Sequence, residues 1–558
     1  MFASCAAPEP RPNAAAVTVK LIAFNDFHGQ LSPPGAPTRV PDASSQGSLE
    51  LPTGGVAWLA GLVAQLKAQN RLNVVVAAGD LISGSPLNSA LFHDEPSIEA
   101  LNALGLEFSS VGNHEFDHGT AELKRMQAGG CAANGPKQSC HGHPFPGARF
   151  EYLAANVRDS STGQTLFPAS AVKTFDLGGG KGRLRIGFIG AVVKTVPDLV
   201  VRGAVTTLSF SDEAAAINTA VPALRAQGVD AIVVLIHEGG RTSSSAFDDD
   251  TCPGFEGDIL PILDRLDPAI DVVVSGHTHR TYICRRNGKL ITSAGSQGRF
   301  VTDIELKIDP RAHRVLSASA RQLAAVNDLA PNPDAVRHPT VAANAQVLAI
   351  VEDYSTAAAP LTERVVAHVA GNILNEVSES GESALGDFIA DAQLAATAPA
   401  DAGGAQIAIM NASGIRAPLI VRNGDVTYGA LHTIHPFGNS LITMSLSGSD
   451  IHDVLEKQWN GGTRLVFSEG FSYAWRPAGA PGAKVDPADI KLNGRTVDPA
   501  ATYRVAMNEF LADGGDGFSL FRDGKDRVRG MLDIEALEHY LVAKAPAPAP
   551  RTGRAQKK

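Results

Sequence analysis

The sequence predicts an α/β protein of two domains. Short apolar runs alternate with amphipathic helical stretches through its first half, the pattern of a layered α/β unit. At 558 residues the chain also exceeds the roughly 250–300 residues at which single cores stop growing. Third, five of the apolar runs end on short motifs rich in His, Asp and Asn. Strand ends are where open α/β sheets gather their functional groups.

Taken in order, residues 17–25 alternate as a strand into Asp26-Phe27-His28. A helix is expected over 55–69, with Val56, Leu59, Leu62, Val63 and Leu66 on one face. The run 74–78 leads to Gly79-Asp80, and 108–111 leads to Gly112-Asn113-His114-Glu115. Residues 178–182 are Gly-rich but lack the phosphate-loop pattern, so they read as a hairpin turn between two strands. Helices follow at 212–227 and 258–266, flanking the strand 231–236 that ends at His237-Glu238. The run 272–274 precedes Gly276-His277-Thr278-His279. Pro331-Asn332-Pro333 breaks the chain; beyond it a helix over 340–354 and a strand over 361–372 are expected. Residues 385–396 and 449–459 read as helices, and 406–411 as a strand. The domain reading is therefore a tether at 1–16, a first domain at 17–330, a helix-containing linker at 331–359 and a second domain at 360–545. The Ala- and Pro-rich stretch 546–558 is expected to be a disordered tail.

Imidazole, carboxylate and amide oxygen are donors suited to Zn, Mn, Fe or Co. Six or seven of them exceed the needs of one tetrahedral ion and suit two ions sharing a carboxylate. Two divalent ions about 3.5–4 Å apart can clamp a phosphoryl oxygen and stabilise an in-line displacement. The ordered set D-x-H, G-D, G-N-H-E, H-E and G-H-T-H resembles the metallophosphoesterase superfamily, and Glu115-Phe116-Asp117 looks like its 5′-nucleotidase branch. Downstream, Asn411-Ala412-Ser413-Gly414-Ile415-Arg416, Pro436-Phe437-Gly438 and the Gly-rich stretch 508–518 are similar to the nucleotide-binding C-terminal domain of 5′-nucleotidases. The resemblance covers residues 17–545. It implies a first domain built as two sheets flanked by helices, and a mixed α/β second domain that binds nucleotide and rotates against the first.

The same resemblance assigns roles. Asp26, His28 and His279 would hold one divalent ion, Asn113, His237 and His277 the other, with Asp80 bridging. Many bacterial members carry Gln or Asn where His279 stands. His114, oriented by Asp117, would stabilise the phosphoryl transition state, as a protonated imidazole aimed at developing negative charge can. Phe437 and Phe510 would sandwich the base, Asp516 would accept from the ribose hydroxyls, and Asn411 and Arg416 would hold ribose, phosphate or base edges. Glu379 departs from the pattern, standing where members often carry Arg just before the G-E-S-x-L-G stretch. A carboxylate there is expected to repel a second phosphate and favour monophosphates.

Bulk properties narrow the partners. With 44% hydrophobic and 19% charged residues and a net charge of −10, the chain offers no basic surface to a nucleic-acid polymer. A small phosphate ester remains compatible, because bound cations would dominate the local field. No run of 18 apolar residues spans a membrane, and no feature specifies an oligomeric state. The five Cys form two local pairs, Cys131 with Cys140 and Cys252 with Cys284, leaving Cys5. Disulfides at both pairs would place the protein in the periplasm or at the cell surface; reduced buried thiols are the alternative. Phe2-Ala3-Ser4-Cys5 resembles the end of a lipoprotein signal, which would make Cys5 a lipid anchor, although the charged and apolar regions of a signal are missing.

The expected function is dimetal hydrolysis of nucleoside 5′-monophosphates to nucleoside and phosphate outside the cytoplasm. UDP-sugar diphosphatase or 2′,3′-cyclic phosphodiesterase with 3′-nucleotidase activity is the alternative within that chemistry. A thiosulfate-ester hydrolase is a remoter relative, against which the Phe pair argues. A catalytically weak surface protein that only binds nucleotides is the alternative of another class.

Overall fold

Val17–Phe24 turns Val19, Leu21 and Ala23 to one side and Ile22 and Phe24 to the other, and all five are buried. A strand buried on both faces belongs inside a layered α/β unit, and its sequence must be apolar throughout rather than alternating. The computed structural model describes residues 16–42, 47–132, 138–179, 182–421, 423–460, 462–546 and 552–558. Cys5 and nearly all of the expected tether lie outside the described residues.

Two six-stranded sheets face each other in the first half. The first runs Arg314–Ala324, Phe300–Asp309, Val17–Phe24, Asn73–Ala78, Phe108–Ser110, Glu151–Leu153, parallel from Val17–Phe24 onward. The second runs Thr281–Arg286, Lys289–Ala294, Val272–Ser275, Ala231–His237, Arg183–Val192, Ser170–Asp176, with a parallel centre. Val19, Leu21, Val74 and Val76 meet Ile186, Phe188, Val233 and Leu235 between the sheets. Helices Val56–Gln69 and Glu95–Leu104 cover the outer face of the first sheet, and Glu213–Ala226 that of the second. Asp212 caps the last of these, its side chain accepting from the Ala215 N–H. The two sheets flanked by helices are as the resemblance implied. Ser170–Asp176 and Arg183–Val192 pair antiparallel on either side of the glycine stretch, as the hairpin reading requires.

Three element boundaries differ from the sequence reading. The helix expected at 258–266 shrinks to Ile259–Leu263. The linker helix is displaced to Ala345–Thr362, capped by Asn344. Ala357, Ala358 and Ala359, the strongest helix formers, carry it into Pro360, so the next strand begins late, at Val365–His368. Val347 and Val351 of this helix join the core of the first half, and Tyr354 meets Phe92 edge-on at 4.9 Å.

The second half centres on a five-stranded sheet ordered Leu465–Phe467, Ile407–Asn411, Thr502–Asn508, Ser440–Ser447, Lys525–Leu532. Ala384–Thr397 and Gly448–Trp459 pack on it, started by caps at Ser383 and Ser447. The expectation of a disordered tail is corrected for residues 552–558. Ala555–Lys557 pairs in parallel with Phe471–Trp475, and Ala555 is buried. Composition alone misled here, because the ordering comes from distant partners. Arg554 donates to both carboxylate oxygens of Asp391 at 2.7 and 2.8 Å, and Glu382 accepts the N–H groups of Gly553 and Arg554.

Two disulfides close, Cys131–Cys140 and Cys252–Cys284. No helix among the described residues is long and apolar enough to cross a membrane.

Candidate active site

Five of the parallel strands, Val17–Phe24, Asn73–Ala78, Phe108–Ser110, Ala231–His237 and Val272–Ser275, end on one edge, and each delivers a motif there. Backbone conformation marks the spot. Asp26, His28, Asp80, His277 and His279 all adopt positive φ, between 49° and 71°. Such conformations are uncommon for residues with a Cβ and cluster where function demands them. Gly112 allows the closest approach: a Cβ there would stand 2.2 Å from Asp80 Oδ1.

The side chains converge into two adjoining nests. In the first, His28 Nε2 and His279 Nε2 lie 3.0 Å apart, with Asp26 Oδ1 3.2 Å from His279. In the second, His237 Nε2 lies 3.0 Å from Asp80 Oδ2 and 3.2 Å from Asn113 Oδ1, which is itself 3.0 Å from His277 Nδ1. Asp80 Oδ2 reaches both nests, standing 3.7 Å from His28 Nε2. The opposite ring nitrogens are occupied: His237 Nδ1 pairs with the Ala78 carbonyl and His28 Nδ1 with that of Ser83. That arrangement places the protons on Nδ1 and aims the Nε2 lone pairs into the nests.

Lone pairs facing lone pairs require positive charge between them, so the donors fit divalent cations. Titration behaviour agrees. Burial lowers His277 to about 4, with His237 adding to the effect, leaving a neutral imidazole suited to ligation. Burial also pushes His28 well down, helped by Arg416. Burial opposes protonation of His237 too, but Asp80 outweighs it and pushes His237 up to about 10. A buried site that captures a proton this firmly is organised for cationic charge.

His114 stands beside the nests without entering the second one. Its Nδ1 is 2.7 Å from Asp117 Oδ2, and its backbone N–H donates to Asp80 Oδ1 at 2.9 Å. Burial disfavours its charge, yet Asp117 and Asp80 hold it above the ordinary imidazole value. The Ser83 hydroxyl donates to Asp117 at 2.6 Å and steadies the pair. Sequence pattern assigns Glu115 no role beyond its place in the third motif. It accepts the N–H groups of Asp80, Leu81 and Gly112, clamping together the loops that carry Asp80 and Asn113.

A cavity of 430 Å³ runs from this cluster into the second half. Asp80, Asn113, His114, Asp117, His277 and His279 line it from the first half; Asn411, Arg416, Phe437, Phe510 and Asp516 line it from the second. Asp26, His28 and His237 stand behind the first group. Phe437 lies parallel to the His114 ring, and the Arg416 guanidinium sits 5.8 Å from the Phe437 centroid and 3.4 Å from His28 Nε2. Asp516 accepts from Asn411 Nδ2 at 2.9 Å and from the Ser413 hydroxyl, and burial raises its carboxyl. Asn508 orients Asn411 by donating to its side-chain oxygen at 2.7 Å. Gly515 makes room for Phe510, since a Cβ there would stand 2.5 Å from the ring. Glu379 does not join them. It is 84% exposed and pairs with Lys557, so it faces solvent and cannot repel a ligand in the cavity.

A family model for calcineurin-like phosphoesterases matches residues 19–281, and one for the C-terminal domain of 5′-nucleotidases matches 365–523. The solved structure of a 5′-nucleotidase precursor from Thermus thermophilus superposes with a TM-score of 0.76 at 26% identity, over 97% of this chain and 99% of that one. Endonuclease YhcR of Bacillus subtilis is 30% identical across 94% of this chain, which spans only 40% of that protein's length. Cell wall protein Lmo0130 of Listeria monocytogenes is 29% identical across 95% of this chain and 67% of its own length. With both halves matched in the order in which the motifs meet at one cavity, the chain belongs to the 5′-nucleotidase family of calcineurin-like phosphoesterases, a family of hydrolases.

Proposed function

We propose that this chain hydrolyses nucleoside 5′-monophosphates to nucleoside and phosphate, using two divalent ions. The observation that carries the reading is a single cavity lined by cation donors from the first half and by Phe437 and Phe510 from the second. Asp26, His28 and His279 would hold one ion and Asn113, His237 and His277 the second, with Asp80 between them. Ions bound there would supply neutralisation of phosphoryl oxygens and activation of a water. The protein supplies the rest. Arg416 adds a guanidinium on the phosphate side, and the raised His114 imidazolium, held by Asp117, stands ready to protonate the departing 5′ oxygen. Phe437 and Phe510 offer faces to the base, and Asp516 with Asn411 offers acceptors and donors to the ribose.

The division into catalytic residues 17–330, a helical connector at 331–359 and a substrate domain at 360–545 is part of the same proposal, supported by the two separate family matches. Export from the cytoplasm is proposed on the two disulfides and the relative named as a cell wall protein. Turnover of AMP, UDP-glucose and 2′,3′-cyclic AMP, compared side by side by chromatographic separation of the products with Mn or Zn supplied, tests the substrate. Faster turnover of AMP supports it; a preference for either other compound replaces it with the corresponding alternative.

A further inference from the structure

The segment 552–558 carries three cations, Arg554, Lys557 and Lys558, and each meets a carboxylate of the second half. Arg554 goes deepest. Its guanidinium donates to both oxygens of Asp391 and, at 2.6 Å, to the Phe467 carbonyl, and its Nε lies 3.7 Å from Asp387 Oδ2. Asp387 is fully buried and accepts no hydrogen bond among the described residues, so Arg554 is the cation that answers it. Lys557 pairs with Glu379 at 3.0 Å and Lys558 with Asp489 at 2.7 Å, both half exposed. The main chain is read as well. The Tyr473 N–H donates to the Arg554 carbonyl at 2.8 Å, and the Lys558 N–H donates to that of Trp475 at 2.9 Å. Ala555 is buried in the core of the second half. A strand added to a sheet edge in this way draws affinity from backbone bonds and specificity from the pockets that take its side chains.

None of these partners lies in Asp533–Lys544, the helix that precedes the segment. The groove is assembled from residues 379–391 and 467–489, and the chain leads to it through 545–551, which read Ala-Pro-Ala-Pro-Ala-Pro-Arg. The bonds that dock the segment are therefore the same whichever chain supplies it. Closing on its own chain adds only local concentration, on the order of millimolar for a short connection.

We propose that this groove is a docking site for a second copy of the chain, which inserts its own residues 552–558, so that two chains exchange tails and pair. Each copy carries one groove and one tail, and reciprocal exchange fills both grooves in a closed two-fold pair. Charge complementarity selects the occupant. The groove takes an Arg into the acidic pocket of Asp387 and Asp391, a small residue after it and two Lys beyond, and this chain carries that segment. The exposed Lys pairs are screened by salt, whereas the buried bidentate pair of Arg554 with Asp391 is not, so Arg554 decides docking.

The test uses full-length chains that cannot close on themselves. Arg554→Glu sets a carboxylate against Asp387 and Asp391, and Asp391→Lys sets a cation against Arg554. Only across the two variants do groove and tail carry opposite charge at these positions. Light scattering after gel filtration at about 50 µM, well below the local concentration of a closed chain, should find wild type and each variant alone monomeric and the mixture dimeric. Circular dichroism checks folding, with Arg554→Ala and Asp391→Asn as milder replacements for a variant that does not fold. A second measurement needs one variant only. A fluorescent peptide of residues 552–558 should bind Arg554→Glu at least about tenfold more tightly than wild type, whose own tail holds the groove, and the same peptide carrying Arg554→Ala should not bind. A mixture of folded variants that stays monomeric, or a single variant that dimerises alone, would overturn the proposal. Peptide binding without a mixed dimer would also overturn it, assigning the groove to a basic segment of another protein.

Discussion

His114 and Phe437 lie face to face, their ring centroids 5.5 Å apart and their planes 8° from parallel. One ring belongs to the metal-rich edge of the first half, the other to a loop of the second. The contact makes Phe437 a support for the imidazole as well as a wall of the cavity, whereas Phe510 lines the cavity with no ring contact to His114 among the described residues.

The two phenylalanines are therefore expected to separate on substitution. Phe510→Ala should cost about 1–3 kcal/mol in kcat/KM for AMP, the value of one lost base stack, and leave 4-nitrophenyl phosphate nearly unchanged. Phe437→Ala should lower both substrates, because it also frees the His114 ring. Steady-state kinetics on the two esters checks this, and equal behaviour of the variants would contradict it.

His114→Ala should retain its metals and lose about 10²–10³ in kcat, as for removing one transition-state donor. Elemental analysis after gel filtration measures the first part. Loss of metal would make His114 a ligand, sharing an ion with His28 and Asp80, whose donor atoms it adjoins.

Arg554→Ala should destabilise the second half by about 3 kcal/mol, since removing one partner of a buried pair leaves uncompensated charge. Arg554 is 13% exposed and faces Asp391 and Asp387, with Glu382 holding its backbone. Denaturant unfolding reads the effect, and an unchanged midpoint would show that the tail adds nothing to stability.

Asp387 provides a pH test. It is fully buried, neither carboxylate oxygen accepts a hydrogen bond among the described residues, and burial raises it to about 7 against the pull of Arg554. Between its ordinary value and about 7 the native state holds a proton that the unfolded chain has released, so stability falls as pH rises through that window. Asp387→Asn should thus raise the melting temperature at pH 8 and leave it nearly unchanged at pH 4. A variant no more stable than wild type at pH 8 would contradict this.

Much of the first half was legible because its strands are apolar throughout and end on motifs whose residue types are costly anywhere else. Asp26, His28, Asp80, Asn113, His237, His277 and His279 stand out on that basis and do meet. Three things were not legible. Glu115 acts through three backbone N–H groups, which leave no trace in side-chain pattern. Glu379 was placed by its distance from a motif along the chain, yet it turns outward to Lys557. The tail reads as disordered because its partners, Asp391 and Glu382, lie far away in sequence and only folding brings them to Arg554.

The metal count of the active protein tests the central claim most directly. Chelator-treated protein should release no phosphate from AMP, and activity should return as Mn or Zn is added, saturating at two equivalents per chain by elemental analysis. Asp80→Ala, which removes the one carboxylate reaching both nests, should lose bound metal and turnover together. Full turnover by metal-free wild type, or an Asp80→Ala protein that keeps both ions, would contradict the account.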